Sequence, residues 1–405
     1  MSTLPQNPPI SQVSSVRRLA EVDMLRGFAL FGILVVNIFY MASPYGTYGV
    51  PDPQFVGPID TISRLVDDTF FTEKFYLFFS FLFGYSFITQ MEAAERAGVS
   101  VVKRSLRRFG ALFLLGAFHA IVLWRGDILT VYAVLGLILL AMRKVAPRTA
   151  VKAAIIVLTA FVVIYLLLAG FAWWAESVGR NTAVNVFDNP QEMIAGYRGG
   201  PLDVVKENLT LLPGMLSGLW FMQGGSALAM FLLGFAAGRE RKLENLPDHW
   251  LTRAQWVGFT IGGLGSLAVA LSHLAHGADS GVYVSLDLAV TTVAAPLLVA
   301  AYAATLLRVI RAHPAVGRAL APAGRISATN YVGQSLVTAL LFTGYGFALF
   351  GKVSPPLLIG IAAAIFAVQL AVSAWWTRNH RYGPAEWWLR SVTYGRTRRP
   401  ATARG

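Results

Sequence analysis

Apolar runs of roughly 17–25 residues, each long enough to cross a hydrocarbon layer about 30 Å thick as a helix, recur along almost the whole chain. Ten can be marked out, over 24–43, 70–91, 107–124, 128–142, 150–175, 209–238, 253–275, 285–310, 327–350 and 355–377. Soluble domains cannot absorb that much apolar surface. Only 14% of the 405 residues are charged, against 55% hydrophobic, where soluble domains carry about 25% charged residues. The expected fold class is therefore an all-α integral membrane protein with about ten transmembrane helices. Helices satisfy their own backbone polar groups, which lipid cannot do.

The connections set direction. A net charge of +13 would suggest nucleic acid as a partner in a soluble protein, but here the basic residues lie between apolar runs. With both termini in the cytoplasm, that side receives Arg17, Arg18, Arg26, the basic residues from Arg96 to Arg108, Arg143 to Lys152, Arg239 to Arg253, Arg308 to Arg325, and those after Arg378. Most of the 21 acidic residues then face out. This is the positive-inside pattern, and it leaves no nucleic-acid reading. The chain divides into a disordered cytoplasmic tail over 1–16, an N-terminal transmembrane half over 17–208, a C-terminal half over 209–397 and a basic tail over 398–405. There is no cysteine, which excludes disulfides and thiolate chemistry. Residues 209–238 hold Pro213, Gly214, Gly218, Gly224 and Gly225, so a kink or break is expected there.

An ionisable side chain in hydrocarbon costs about 2.5–3.5 kcal/mol even on lenient scales, so each marks a candidate site. Asp23 and Arg26 share a face at the start of the first span and form a structural pair, with Asn37 further up. Glu73 and Lys74 are adjacent, point about 100° apart on a helix, and need partners elsewhere. His119 lies ten residues past Phe109, near the bilayer midplane. Asp127, beyond the Trp124–Arg125–Gly126 turn, reaches it only by facing inward. An imidazole bonded to a carbonyl is the ordinary alternative. Ser327, Asn330 and Gln334 form a polar stripe beside Arg325, either a phosphate site at a helix start or interhelical hydrogen bonding. Residues 383–395 suggest an interfacial helix with Glu386 and Arg390 at i, i+4. His273, His276 and Asp279 have metal-like spacing but no supporting shell, and no metal is expected. No phosphate-binding loop, zincin motif or serine elbow is present.

Val22–Leu30 with Asn37, Lys74–Gly84, His119–Tyr132 with its Gly126-Asp127-Ile128-Leu129, Gly324–Ser335 and Gly383–Gly395 together resemble the YeiB-like family of bacterial inner-membrane proteins. The last two blocks resemble its C-terminal domain of unknown function 418. The Asp23-Met24-Leu25-Arg26-Gly27 opening is similar to that of acyltransferase-3 proteins and heparan-α-glucosaminide N-acetyltransferases. The resemblance implies a multi-pass protein of the bacterial cytoplasmic membrane that moves an acyl group from cytoplasmic acyl-CoA, such as acetyl-CoA, to an acceptor outside, such as a sugar. On that reading His119, Asp127 and Glu73 are catalytic. Arg325, Ser327, Asn330, Gln334 and Arg26 hold the coenzyme, and Asn37, Lys74, Trp124 and Arg125 hold the acceptor. The partners are then the bilayer, acyl-CoA and the acceptor, with a homodimer left open. The alternative is a proton-coupled transporter or exporter that uses Asp23, Glu73, His119 and Asp127 as a relay.

Overall fold

The computed structural model describes residues 10–47, 50–183 and 189–395, and within them every regular element is helical. The expected tails therefore lie mostly outside the described residues, although α1 already runs from Ile10 to Ala42. It is followed by the short α2 (Pro44–Thr47), then α3 (Pro58–Phe70), α4 (Phe75–Arg96), α5 (Val101–Phe118), α6 (Leu129–Ala141) and α7 (Pro147–Ser177). Next come α8 (Pro190–Arg198), α9 (Pro201–Leu219), α10 (Gly225–Arg239), α11 (Asp248–Val257), α12 (Gly263–His276) and α13 (Gly281–Ala312). The chain closes with α14 (Pro314–Arg325), α15 (Ser327–Phe342), α16 (Pro355–Asn379) and α17 (Pro384–Tyr394). Proline opens α3, α7, α8, α9, α14, α16 and α17, where its missing N–H costs nothing.

Among the described residues, seven segments are long and apolar enough to span a membrane: Glu21–Ala42, Val101–Leu123, Pro147–Ser177, Pro201–Arg239, Asp248–His276, Gly281–Ala312 and Pro355–Asn379. The expected count of about ten is not reached. The segment over 70–91 is interrupted by a turn over 71–74, and α4 then runs on through Gln90, Glu92 and Glu95. α6 is only 13 residues long, and α15 stops at Phe342 before an irregular stretch. α4 escapes the requirement for apolarity because protein rather than lipid surrounds much of it: Leu77, Phe78, Leu82, Tyr85 and Phe87 are all buried.

Small residues let the inner helices approach closely. A methyl group at Gly84 of α4 would lie 2.0 Å from the Phe231 carbonyl oxygen on α10, and one at Gly234 of α10 would lie 2.0 Å from that of Phe81. α1 and α14 meet the same way, with Gly27 against Leu320 and Gly324 against Asp23. A core spanning α1, α4, α6, α10 and α13 results, and a second cluster joins the far half of α1 to α8, Phe342 and Phe350.

Among the described residues three π turns occur, at His119–Leu123, Trp220–Gly224 and Gly258–Gly262. The expected disturbance around Pro213 takes this form: α9 accommodates the proline, and the π turn follows without a gap before α10. π turns often mark functional positions, and the first of them holds His119.

Candidate functional site: a two-ended cavity and a buried histidine

A cavity of about 1710 Å³ runs beside α1, α4, α5, α6, α9, α14, α15 and α17. One end is lined by Arg26, Arg96, Arg104, Arg108, Arg325, Arg381 and Arg390, with Glu386 as the acidic residue on that wall. The middle is aromatic, formed by Phe75, Tyr76, Phe79, Phe83, Tyr132 and Tyr331. The opposite end presents Asn37, Glu73, Arg125, Asn189, Glu192, Glu207 and Gln223. Arg26 and Asn37, eleven residues apart on α1, place the two ends about 16 Å apart along that helix.

The arginine end is assembled from five helices, α1, α4, α5, α14 and α17, with Arg381 from the connection before α17. Arg26 is held 2.8 Å from Asp23, the expected pair, and also donates to Ser86 Oγ. Arg104 stacks over the Tyr394 ring at 4.0 Å, and Arg390 lies between Tyr382 and Tyr394 at 4.3 and 4.7 Å. Burial pushes the Tyr394 hydroxyl up, but Arg104, Arg390 and Arg108 outweigh it and hold the group below its ordinary value. Arg108 has neither a hydrogen bond nor an ion pair among the described residues. No carboxylate pairs with it; within the cluster Asp23 pairs with Arg26, and Glu386 is engaged by the start of α15.

The ninth expected span gives a different picture from the polar stripe. Arg325 and Ser327 do line the cavity. The free N–H groups at the start of α15, however, already bind a carboxylate of this chain: Ala328 N and Thr329 N donate to Glu386 Oε1 at 2.7 and 3.2 Å. Glu386 thus caps α15 instead of pairing with Arg390. Asn330 and Gln334 face away from the cavity. Asn330 Nδ2 donates to Ala323 O and Ser373 Oγ at 2.9 Å each, and Gln334 Nε2 donates to Leu30 O and Gln369 Oε1 at 3.2 and 2.7 Å. These two residues tie helices together because their i, i+4 face points at α16 and α1, not at the cavity.

At the opposite end, Glu73 occupies the turn before α4 with φ +66°, a conformation that costs an ordinary residue about 1 kcal/mol or more. Its Oε1 accepts from Gln223 Nε2 at 2.9 Å. Lys74 points elsewhere, buried with Nζ donating to Asp68 O at 2.7 Å. It is not on the cavity wall, so no acceptor contact is available to it here. Trp124 and Arg125 do line the wall. Arg125 is buried, donates to Tyr197 Oη, and lies 4.6 Å over Trp124.

His119 stands at mid-passage but behind the wall. It and Asp127 are wholly buried, with Nδ1 3.0 Å from Asp127 Oδ1, a close contact of two atoms that have no hydrogen bond among the described residues. The π turn, closed by Trp124 N to His119 O at 2.8 Å, ends the helix and returns the chain so that Asp127 faces inward. Asp127 Oδ2 caps α6 by accepting from Thr130 N at 2.7 Å. His119 Nε2 lies 2.8 Å from Ser335 Oγ. Ser335 was not among the expected site residues. Tyr331, one turn before it, separates the group from the cavity, its ring 5.0 Å from the imidazole.

His273 lies between Asp68 and Asp287 at 3.8 and 3.7 Å, while His276 stacks on Tyr283. No group of metal-ligating residues occurs among the described residues.

Residues 237–396 match the family described as "Protein of unknown function (DUF418)". The chain is 32% identical to "Uncharacterized protein YxaH" of Bacillus subtilis (strain 168), a similarity that covers 93% of this chain and 94% of that one. It is 28% identical to an "Uncharacterized 39.9 kDa protein in amylase 3'region" of Bacillus acidopullulyticus, covering 94% of each. Against "Uncharacterized protein YeiB" of Escherichia coli (strain K12) the identity is 25%, covering 93% and 97%.

Proposed function

The chain belongs to the YeiB-like DUF418 family of multi-pass membrane proteins, and we propose that it transfers an acyl group from acyl-CoA at the arginine-lined end of the cavity to an acceptor at the opposite end. The observation that carries this reading is the asymmetry of one continuous cavity: a cluster of arginines at one mouth, an aromatic shaft, and a mixed carboxylate and amide set at the other. Clustered guanidinium groups suit a ligand with several phosphates. A neutral acceptor rich in hydroxyl or amine groups suits Asn37, Glu73, Arg125 and Gln223.

On this proposal Arg26, Arg104, Arg108 and Arg325 hold the coenzyme phosphates, and the pantetheine arm lies along the aromatic shaft. That brings the thioester to the level of His119. The imidazole, oriented by Asp127, serves as the base once the Tyr331 ring swings aside, and Glu73 holds the acceptor. The arginine end would face the cytoplasm of the bacterial inner membrane, where acyl-CoA is made. A cavity lined from both ends also favours a second reading, coupled transport of an anion.

Calorimetric titration of detergent-purified protein with acetyl-CoA tests the proposal. Saturable binding is expected, weakened about tenfold by Arg108→Ala, the loss of one charge-assisted contact. If neither acetyl-CoA nor a longer acyl-CoA binds saturably, the donor site is overturned.

A further inference from the structure

Asp127 Oδ1, His119 Nδ1, His119 Nε2 and Ser335 Oγ lie in sequence at 3.0 and 2.8 Å. The carboxylate sits on one imidazole nitrogen and the hydroxyl on the other, the connectivity that activates a serine. We propose that Ser335 is the nucleophile of this relay and carries the acyl group covalently between donor and acceptor, a step that rests on the acyl-transfer reading above.

Three observations raise the relay above a structural hydrogen bond. Ser335 has an alternative acceptor in its own helix, Tyr331 O, but at 3.4 Å that contact is far poorer than the one to the imidazole. The arrangement is also built with care from distant pieces, since His119 and Ser335 are 216 residues apart and a π turn ends α5 where the imidazole must sit. Finally, Gly116 leaves room for the carboxylate, because a methyl group there would lie 2.5 Å from Asp127 Oδ2. The cavity comes within one side chain of the group, at Tyr331 on one side and at Gly126 and Ile128 on the other.

The chemistry balances without a further reactant. Ser335 Oγ attacks the thioester carbonyl as its proton passes to His119 Nε2. The C–S bond then breaks, and the thiol leaves with that proton. The acceptor hydroxyl next attacks the serine ester, gives its proton to His119, and Ser335 recovers it as the ester bond breaks. Tyr331 must move for the thioester to reach the serine.

The chain has no cysteine, so Ser335→Cys provides the protein's sole thiol, beside an imidazole placed to ionise it. The experiment measures alkylation of purified S335C by N-ethylmaleimide and, separately, acyl capture from acetyl-CoA, both by intact mass. S335C is expected to be alkylated at least about tenfold faster than S335C/H119A, as a thiolate formed by an imidazole requires, and to gain one acetyl group from acetyl-CoA. The control is S335A, which should keep the elution profile of wild type and gain neither group. Alkylation that is undetectable, or equally fast without His119, overturns the relay. If S335C is alkylated in a His119-dependent way but acetyl-CoA neither binds nor acylates it, the relay stands and the donor assignment fails. If acetyl-CoA binds yet S335C stays unmodified by both reagents, the donor assignment stands and the nucleophile fails.

Discussion

At the scale of single residues, the buried relay depends on a glycine as much as on its polar members. The Cβ of Gly116→Ala would lie 2.7 Å from Thr130 N as well as against Asp127, so the hairpin must spread. Overpacking of this kind costs about 1–3 kcal/mol, and thermal unfolding should show the loss. Gly110, whose added methyl meets nothing within 4 Å, is the control and should tolerate alanine. Asp67 on α3 offers a pH-dependent test. Burial, followed by the neighbouring charge of Asp68, pushes its carboxyl well above the ordinary range, and its Oδ1 has no partner. Since the folded state binds this proton more tightly than the unfolded chain, stability falls as pH rises from the unfolded value of about 4 through the raised folded value. Asp67→Asn should remove that fall, so its melting temperature gains on wild type as pH increases. A difference that stays constant with pH would contradict the assignment. Ser335 shows where reading side chains off a helical stripe ran out. Ser327, Asn330 and Gln334 share a face and drew attention as a set, whereas Ser335 sits one position round. Its partner lies far away in sequence and is brought near only by packing.

At the scale of helices, the long apolar segments were legible because lipid tolerates little else on their surfaces, and seven keep the expected character. α4 lies outside those seven: the segment is interrupted at 71–74 and carries acids near its end, while protein encloses much of it. The contact of α4 with α10 should tolerate little enlargement. Gly84→Leu drives a side chain into the Phe231 backbone, and loss of monodisperse protein on size exclusion is expected, as against a normal profile for Gly333→Leu, where the added group meets nothing. The short helix α17 was recognisable from its proline start and paired tryptophans, but not its main contact. Spacing suggested Glu386 for Arg390, whereas the unpaired N–H groups of α15 attract the carboxylate more strongly. Glu386→Gln should cost about 1 kcal/mol of stability as a weakened cap. It should also tighten binding of a polyanion, by removing the acid from the arginine end. A calorimetric titration with coenzyme A reads the second effect, and weaker binding would contradict it.

At the scale of the whole molecule, the charge asymmetry of the connections is repeated inside the cavity. The basic residues on which the expected orientation rests include some that line one mouth, Arg96, Arg104 and Arg108 among them. That coincidence could not be read from the sequence, where a basic loop looks the same whether it faces solvent or a cavity. His119 was legible as an unusual residue, and its pairing with Asp127 as a geometric option. Its position behind Tyr331 was not, because it depends on how α15 packs against the α5–α6 hairpin. The central claim, that an acyl group crosses while its carrier does not, is tested most directly in sealed vesicles containing the protein. Acetyl-CoA labelled separately on the acetyl group and on the adenine is added outside, with amino sugars and polyols enclosed as acceptors. The account predicts acetyl label inside the vesicle, adenine label outside, and loss of the separation in both His119→Ala and Arg108→Ala. Both labels arriving inside together would mark a transporter, and neither label moving would contradict the account outright.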